Sequence, residues 1–173
     1  MEKIACLLQC VDDGVKASTM RPALAMIEPE IAGNVGALLR TAACLDVAVH
    51  LVEPCGFAFS DRALKRAGMD YALSVALERH ADRHAFMAAM RATGRRMILL
   101  TTTGESTLHA TAFTAADVLM LGSEGHGAPA DVHDAAALRV RIPVAAGCRS
   151  LNVSVAGGMA LAEALRQTVG FPA

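Results

Sequence analysis

Short apolar runs alternate along the chain with longer stretches in which apolar residues recur every three or four positions. Residues 23–27, 47–52, 97–102, 118–122 and 138–143 read as buried strands, and 73–77 as a further short one. Residues 34–45, 82–93, 129–137 and 151–169 read as helices, with a brief one at 61–67. In the first helix Leu38, Leu39, Ala42 and Leu45 share one side, and Asn34 fits its N-cap. Pro129 stands near the first turn of the helix it opens. Strands alternating with helices predict an α/β protein, with a mostly parallel sheet and helices on both faces. No repeat, linker or internal boundary interrupts 20–173, which read as a single domain. Residues 1–19 read as an N-terminal extension or an unused upstream start.

The closing helix is apolar on most sides: Leu151, Val153, Val155, Ala156, Met159, Leu161, Leu165 and Val169. Such a helix must be buried all round, and one sheet face cannot do that. A subunit interface or a sandwich within the monomer would, and the pattern favours a homodimer. Gly157-Gly158 weakens the helix by about 1 kcal/mol per Gly relative to Ala. Such a pair lets a neighbouring helix approach closely.

At 173 residues, 54% of them hydrophobic, the chain can bury a substantial core, so disorder is excluded. Aromatics are 3% and Trp is absent, so that core must be aliphatic. A net charge of −1 excludes a protein that coats nucleic acid by bulk charge. Eight of the 16 Lys and Arg nevertheless lie between Arg62 and Arg96, opposed only by Asp70, Glu78 and Asp82. They form either a solvated face or a patch for phosphates. The five cysteines make no CxxC pair and read as reduced, mostly core thiols of a cytoplasmic protein. No His/Cys group has ligand spacing, so no metal is expected. The apolar run at 4–11 is too short to span a bilayer and lacks a cleavage site, and no other run reaches membrane length.

Three segments carry candidate chemistry, each just past a strand. Glu28-Pro29-Glu30-Ile31-Ala32-Gly33-Asn34-Val35-Gly36 opens the first helix, with Arg40 one turn beyond Gly36. Arg40 is either a solvated arginine or a group that meets a ligand. Gly122-Ser123-Glu124-Gly125-His126-Gly127 is a tight glycine-rich loop, neither GxGxxG nor a P-loop. His126 reads as a loop residue, and a Ser123, His126, Asp131 triad is set aside for want of a nucleophile elbow. Arg141-Ile142-Pro143-Val144, a small-residue loop, and Arg149-Ser150-Leu151-Asn152-Val153-Ser154 lead into the closing helix. Three polar side chains at that helix start exceed what capping uses, which leaves some for a polar ligand. Ligands of open α/β sheets gather at the carboxyl ends of strands, so the three segments predict one shared site.

Together these segments resemble the three motifs of the SPOUT, or trefoil-knot, RNA ribose methyltransferases, over nearly the whole chain after the extension. The chain is most similar to the small TrmL/YibK-type enzymes, which methylate the ribose 2′-hydroxyl of the tRNA wobble nucleotide. The cues are Ile27-Glu28-Pro29-Glu30-Ile31, Glu53-Pro54-Cys55-Gly56-Phe57-Ala58-Phe59 and Lys65-Arg66-Ala67-Gly68-Met69-Asp70-Tyr71. The resemblance implies a deep C-terminal trefoil knot, a homodimer, S-adenosylmethionine as methyl donor, no metal, and the tRNA anticodon stem-loop as partner, with cytidine or uridine 34 as acceptor. It places the cofactor against Leu100, Gly122, Ile142, Ser150 and Leu151. It places the acceptor near Asn34, Arg40, Glu124 and Asn152, and gives Arg40 the proton-accepting role. A guanidinium hardly deprotonates in proteins, so binding a phosphate or stabilising developing charge is the alternative for Arg40.

The chain departs from that pattern at four places. Ser123 stands where Pro is frequent, His126 where Arg is common, Thr103 where Lys is common, and Ala162 where Tyr often precedes the late Glu, here Glu163. The changes at His126 and Thr103 remove basic groups near the expected RNA path. Two other outcomes therefore stand beside wobble methylation: the same chemistry on another tRNA or rRNA site, and a non-catalytic RNA-binding protein of the same fold.

Overall fold

The computed structural model describes residues 20–58 and 75–172. The expected helix at 61–67, the first part of the strand at 73–77, the cue at 65–71 and the extension at 1–19 lie outside the described residues.

Among the described residues, seven strands form one sheet in which every pairing is parallel, in the order β3-β2-β1-β6-β4-β7-β5. They are β1 (Ala23–Ile27), β2 (Val49–Val52), β3 (Leu77–His80), β4 (Arg96–Leu100), β5 (Ser106–Thr107), β6 (Asp117–Leu121) and β7 (Leu138–Arg141). The helices are α1 (Ala32–Cys44), α2 (Arg83–Ala92), α3 (Ala130–Ala135) and α4 (Val153–Gln167). Side-chain alternation assigns them to faces. Leu24 and Met26 of β1 pack with Val35, Leu38 and Leu39 of α1 and Leu161 and Leu165 of α4. Ala23, Ala25 and Ile27 of the same strand pack with Phe86, Met87 and Met90 of α2 and Val132 of α3. Both faces are thus covered, which is why β1 and β6 are buried at every position.

Several boundaries move for physical reasons. β3 begins at Leu77, and its Leu-Glu-Arg-His run is buried only at His80, so hydrophobic periodicity does not reveal it. β5 is two polar residues held by pairing to β7, and no apolar run marks it. The N-cap of α1 is Ile31, so Asn34 sits inside the first turn and is not the cap. The described cysteines are not core: Cys44 and Cys148 are exposed and Cys55 is half-buried, where burial raises its thiol pKa. Burial also pushes the His50 imidazole down to about 4.

The closing helix is buried on one face only. Gly157, Ala160, Leu161, Ala164 and Leu165 face inward. A Cβ at Gly157 would stand 2.7 Å from Leu38 Cδ2, so this glycine sets how closely α4 approaches α1. Gly158 faces open space. Val155 is 51% exposed and Met159 44%, an apolar face that the monomer leaves uncovered.

Candidate active site

β1 and β6 are neighbours, so the loops that leave their carboxyl ends lie side by side. Glu28 takes the left-handed region, at φ +50°, as the chain turns out of β1. That conformation is uncommon for a residue with a side chain. Arg83 fastens it, donating from Nη1 to Glu28 Oε1 at 2.6 Å and from Nε to Asp131 Oδ2 at 3.1 Å. On β6, Gly122 permits a tight turn: a Cβ there would lie 2.4 Å from Ala128 N. Ser123 and Gly127 then exchange two backbone hydrogen bonds of 3.0 Å.

Glu124, at the tip of that turn, reaches the first loop. Its Oε2 accepts from Glu30 N at 2.8 Å, and its Oε1 accepts from Asn34 Nδ2 at 2.8 Å. Asn34 Oδ1 in turn accepts from Asn152 Nδ2 at 2.9 Å. Asn152 Oδ1 caps α4, accepting from Ser154 N at 2.9 Å, Val155 N at 3.3 Å and Ser154 Oγ at 2.6 Å. One hydrogen-bond chain therefore joins all three segments. A second clasp runs the other way: Glu30 accepts from Gly125 N at 2.9 Å and meets His126 Nδ1 at 3.1 Å. The His126 bond chiefly, helped by that of Gly125, holds the Glu30 carboxyl below its ordinary 4.5 against the opposing effect of desolvation. Glu30 was given no role from the sequence, although it lies within the first motif.

The structure thus brings together Asn34, Glu124 and Asn152, and it makes them mutual partners. Arg40 stands apart from this chain of bonds, exposed on the side of α1 opposite its buried residues. Of the five residues expected at the cofactor, Gly122 lines a shallow pocket with Met26, Pro29, Asn34, Val35, Leu38, Leu121, Glu124 and Val153. Leu100 and Ile142 lie outside that pocket but directly follow or end β4 and β7, the strands next beyond β6. Ser150 and Leu151 are exposed. The three polar side chains at the start of α4 are not buried: Ser150 and Asn152 face solvent, Ser154 is half-buried, and Asn152 is the cap.

Among the described residues, four basic groups of the stretch are engaged within the molecule. Arg79 pairs with Glu53, Arg83 with Glu28 and Asp131, and Arg96 with the fully buried Asp117. Arg95 donates to Arg21 O at 2.6 Å. Arg62, Lys65 and Arg66 lie outside the described residues. A cluster the sequence did not suggest also exists: His50, Glu78 and His80 converge on the β2–β3 ladder. The signal for it was Glu78-Arg79-His80, whose ends share one face of a strand.

Known proteins match this chain over most of its length. A model of the SpoU rRNA Methylase family matches residues 21–162. A tRNA (cytidine(34)-2′-O)-methyltransferase of Ancylobacter novellus is 50% identical, over 88% of this chain and 96% of its own. That of Escherichia coli K12 is 39% identical, over 86% and 94%. A solved structure concerned with 2-OH methylation of C/U34 on tRNA superposes with a TM-score of 0.79 at 38% identity, covering 86% of this chain and 97% of that one. An AdoMet-bound rRNA methyltransferase from Sinorhizobium meliloti gives 0.76 at 28% identity, with 84% and 56% covered. With its three motif loops tied into one site, and with the family model and these relatives matching along most of its length, the chain belongs to the SpoU methylase family.

Proposed function

We propose that this chain transfers a methyl group from S-adenosylmethionine to the ribose 2′-hydroxyl of the wobble nucleotide, cytidine or uridine 34, of tRNA. The observation that carries the reading is the bonded path Glu30, Glu124, Asn34, Asn152, which unites the three motif loops in a chain whose relatives named for that reaction match along nearly their full length.

The residues present suit the methyl donor. Between Ile142 and Asn152 the loop is exposed beyond Ile142 and makes one backbone hydrogen bond within itself, Cys148 N to Ala145 O at 3.1 Å. Its other N–H and C=O groups are available to a purine edge and ribose, and Leu100, Ile142 and Leu151 offer apolar surface beside them. By motif position Gly122 and Ser150 belong to the same donor site. S-adenosylmethionine supplies a methyl group already activated on a sulfonium, so the protein's work is placement and disposal of the hydroxyl proton.

Asn34, Glu124 and Asn152 fix the relative positions of the loops and act as positioning residues. Arg40, on the open side of α1, binds the phosphate or steadies negative charge developing on the 2′-oxygen. Exposed Arg141 and Arg149, which flank the cofactor loop, extend the path for the anticodon-loop backbone. Binding should then weaken with salt by a slope of about −0.7 per phosphate neutralised.

Two further features belong to this reading. The uncovered Val155 and Met159 of α4, with Ile31 at the start of α1, form the contact of a homodimer. A monomer's sedimentation at micromolar concentration would remove that contact. β7 lies between β4 and β5, although only residues 101–105 join those two strands. A Cβ at Gly104 would stand 2.6 Å from Val140 C, so the short connection presses on β7 as it passes. This supports a knotted path, which the trace of an experimental map would check. The enzyme works in the cytoplasm, where tRNA is modified; among the described residues no helix is long and apolar enough to cross a membrane.

Labelled S-adenosylmethionine incubated with unmodified total tRNA tests the reading. Label should appear at a wobble ribose and fall by about 10²–10³-fold with Arg40→Ala. Label at another nucleotide would move the substrate. Absence of label from a protein that binds both ligands would favour the RNA-binding alternative.

A further inference from the structure

His50 and Glu78 are opposed across the parallel β2–β3 ladder, and His80 follows Glu78 by two residues. All three side chains therefore leave the same face of the sheet. His50 Nδ1 lies 3.1 Å from His80 Nε2 and 3.4 Å from Glu78 Oε2, while Glu78 Oε1 lies 3.8 Å from the same His80 nitrogen. A hydrogen bond between the two imidazoles accounts for the shortest separation only. It leaves a carboxylate closing on the same two nitrogens, with at most one proton shared between them.

We propose that His50, Glu78 and His80 form a site for a divalent transition metal, best suited to Zn2+, that fastens the edge strand β3 to β2. A tetrahedral Zn2+ with bonds of about 2.0–2.1 Å sets its ligand atoms about 3.3–3.4 Å apart; the His50–His80 and His50–Glu78 Oε2 separations are close to that, and one ligand atom from each of the three residues lies within 4.8 Å of the others. Two imidazoles and one carboxylate are a borderline donor set, which suits zinc over calcium or magnesium. The imidazole side chains are 7% and 5% exposed, whereas Glu78 is 59% exposed. The cluster is thus walled on one side and open on the other, which gives an ion its way in and a water the fourth position. Phe86 of α2 forms the wall, with its ring centroid 5.8 Å from that of His50 and 5.3 Å from that of His80. Apolar cover of this kind holds ligands in place and limits competing water. Arg95 is the opposing charge nearby, and its guanidinium is turned to the carbonyl of Arg21.

The site takes no part in methyl transfer as argued above; its effect is on the sheet edge. The full chain, freed of metal by chelator, is titrated with Zn2+ and with Co2+. One equivalent should bind, with a Kd near or below about 10 μM and a rise in Tm at excess metal. The Co2+ complex should show visible bands of four or five coordination and no thiolate charge-transfer band. Glu78→Gln, at an exposed side chain that the fold does not need, should raise Kd at least about 10-fold, and His80→Gln should abolish binding. The proposal is overturned by absence of saturable binding at about 100 μM metal, by a thiolate band that assigns the ion to cysteines, or by affinity unchanged in Glu78→Gln.

Discussion

The starts of α1 and α4 meet at the site, yet they are completed in opposite ways. α4 carries its own cap: Asn152 accepts from Ser154 N and Val155 N, two of the donors that every helix start leaves open. α1 has Ile31 at its cap with no side-chain bond. Its start is instead met by Glu124, which arrives from the β6 loop, accepts Glu30 N just ahead of the cap, and holds Asn34 in the first turn. A carboxylate at a helix N-terminus is favourable in itself. The local cap makes the start of α4 self-sufficient in its capping. The distant one makes the first motif depend on the second. Asn34 spans the two arrangements, because its amide nitrogen serves Glu124 and its oxygen serves Asn152.

The sharpest way to break this contrast is Glu124→Gln. The carboxylate faces two donors, and a Gln side chain must turn its NH2 toward one of them. Flipping Asn34 would relieve that clash but would present a second NH2 to Asn152. No arrangement satisfies every group, so a donor is left without its partner at a cost of about 1–3 kcal/mol. The loops then shift, and methyl transfer should fall by about 10²-fold, read as kcat/KM alongside the urea midpoint. Wild-type activity in Glu124→Gln would mean that the link between motifs is incidental.

Asn152 separates the cap from the tie. Asn152→Ala loses both and should cost about 0.5–2 kcal/mol of stability. Asn152→Asp keeps the oxygen that caps α4 but sets a second oxygen against Asn34 Oδ1. Its urea midpoint should stay near that of the wild type while its turnover drops, a divergence that a purely structural residue would not produce. Equal loss of both quantities in the Asp variant would place Asn152 with α4 alone.

The same contrast marks what the sequence could reveal. β1 is legible to the residue because five consecutive apolar positions lie in the middle of a covered sheet. The α2 start is legible because Asp82 caps it in cis, accepting Ala85 N at 2.8 Å. The α1 start is misread because Asn34 has the right chemistry for a cap, and its actual partner lies 90 residues away. β3 is displaced for a related reason: its one buried position holds a histidine, His80, whose imidazole partner, His50, sits on another strand. Family motifs recover the site residues that local rules miss, but they say nothing of which side chains serve each other. That Asn34, Glu124 and Asn152 are partners in one chain while Arg40 faces outward becomes visible only when β1, β6 and β7 are assembled in one sheet.

The smallest effect distinguishes a charged cap from a neutral one. Asp82 is held below its ordinary 3.8, first by the Ala85 N–H bond and, against the opposing effect of desolvation, by that of His84. A carboxylate whose folded pKa is depressed contributes its full stabilisation above the unfolded value and loses it as pH falls through the folded one. The stability gap between wild type and Asp82→Ala should therefore be constant above about pH 4 and should narrow progressively below it. Asn152 carries no titrating group, so the gap between wild type and Asn152→Ala should hold steady across the same range. Denaturant midpoints of the three proteins measured from neutral pH downward compare the two caps directly. If both gaps narrow together, acid is weakening something common to the whole fold; if only the first does, charge at the α2 cap is the cause.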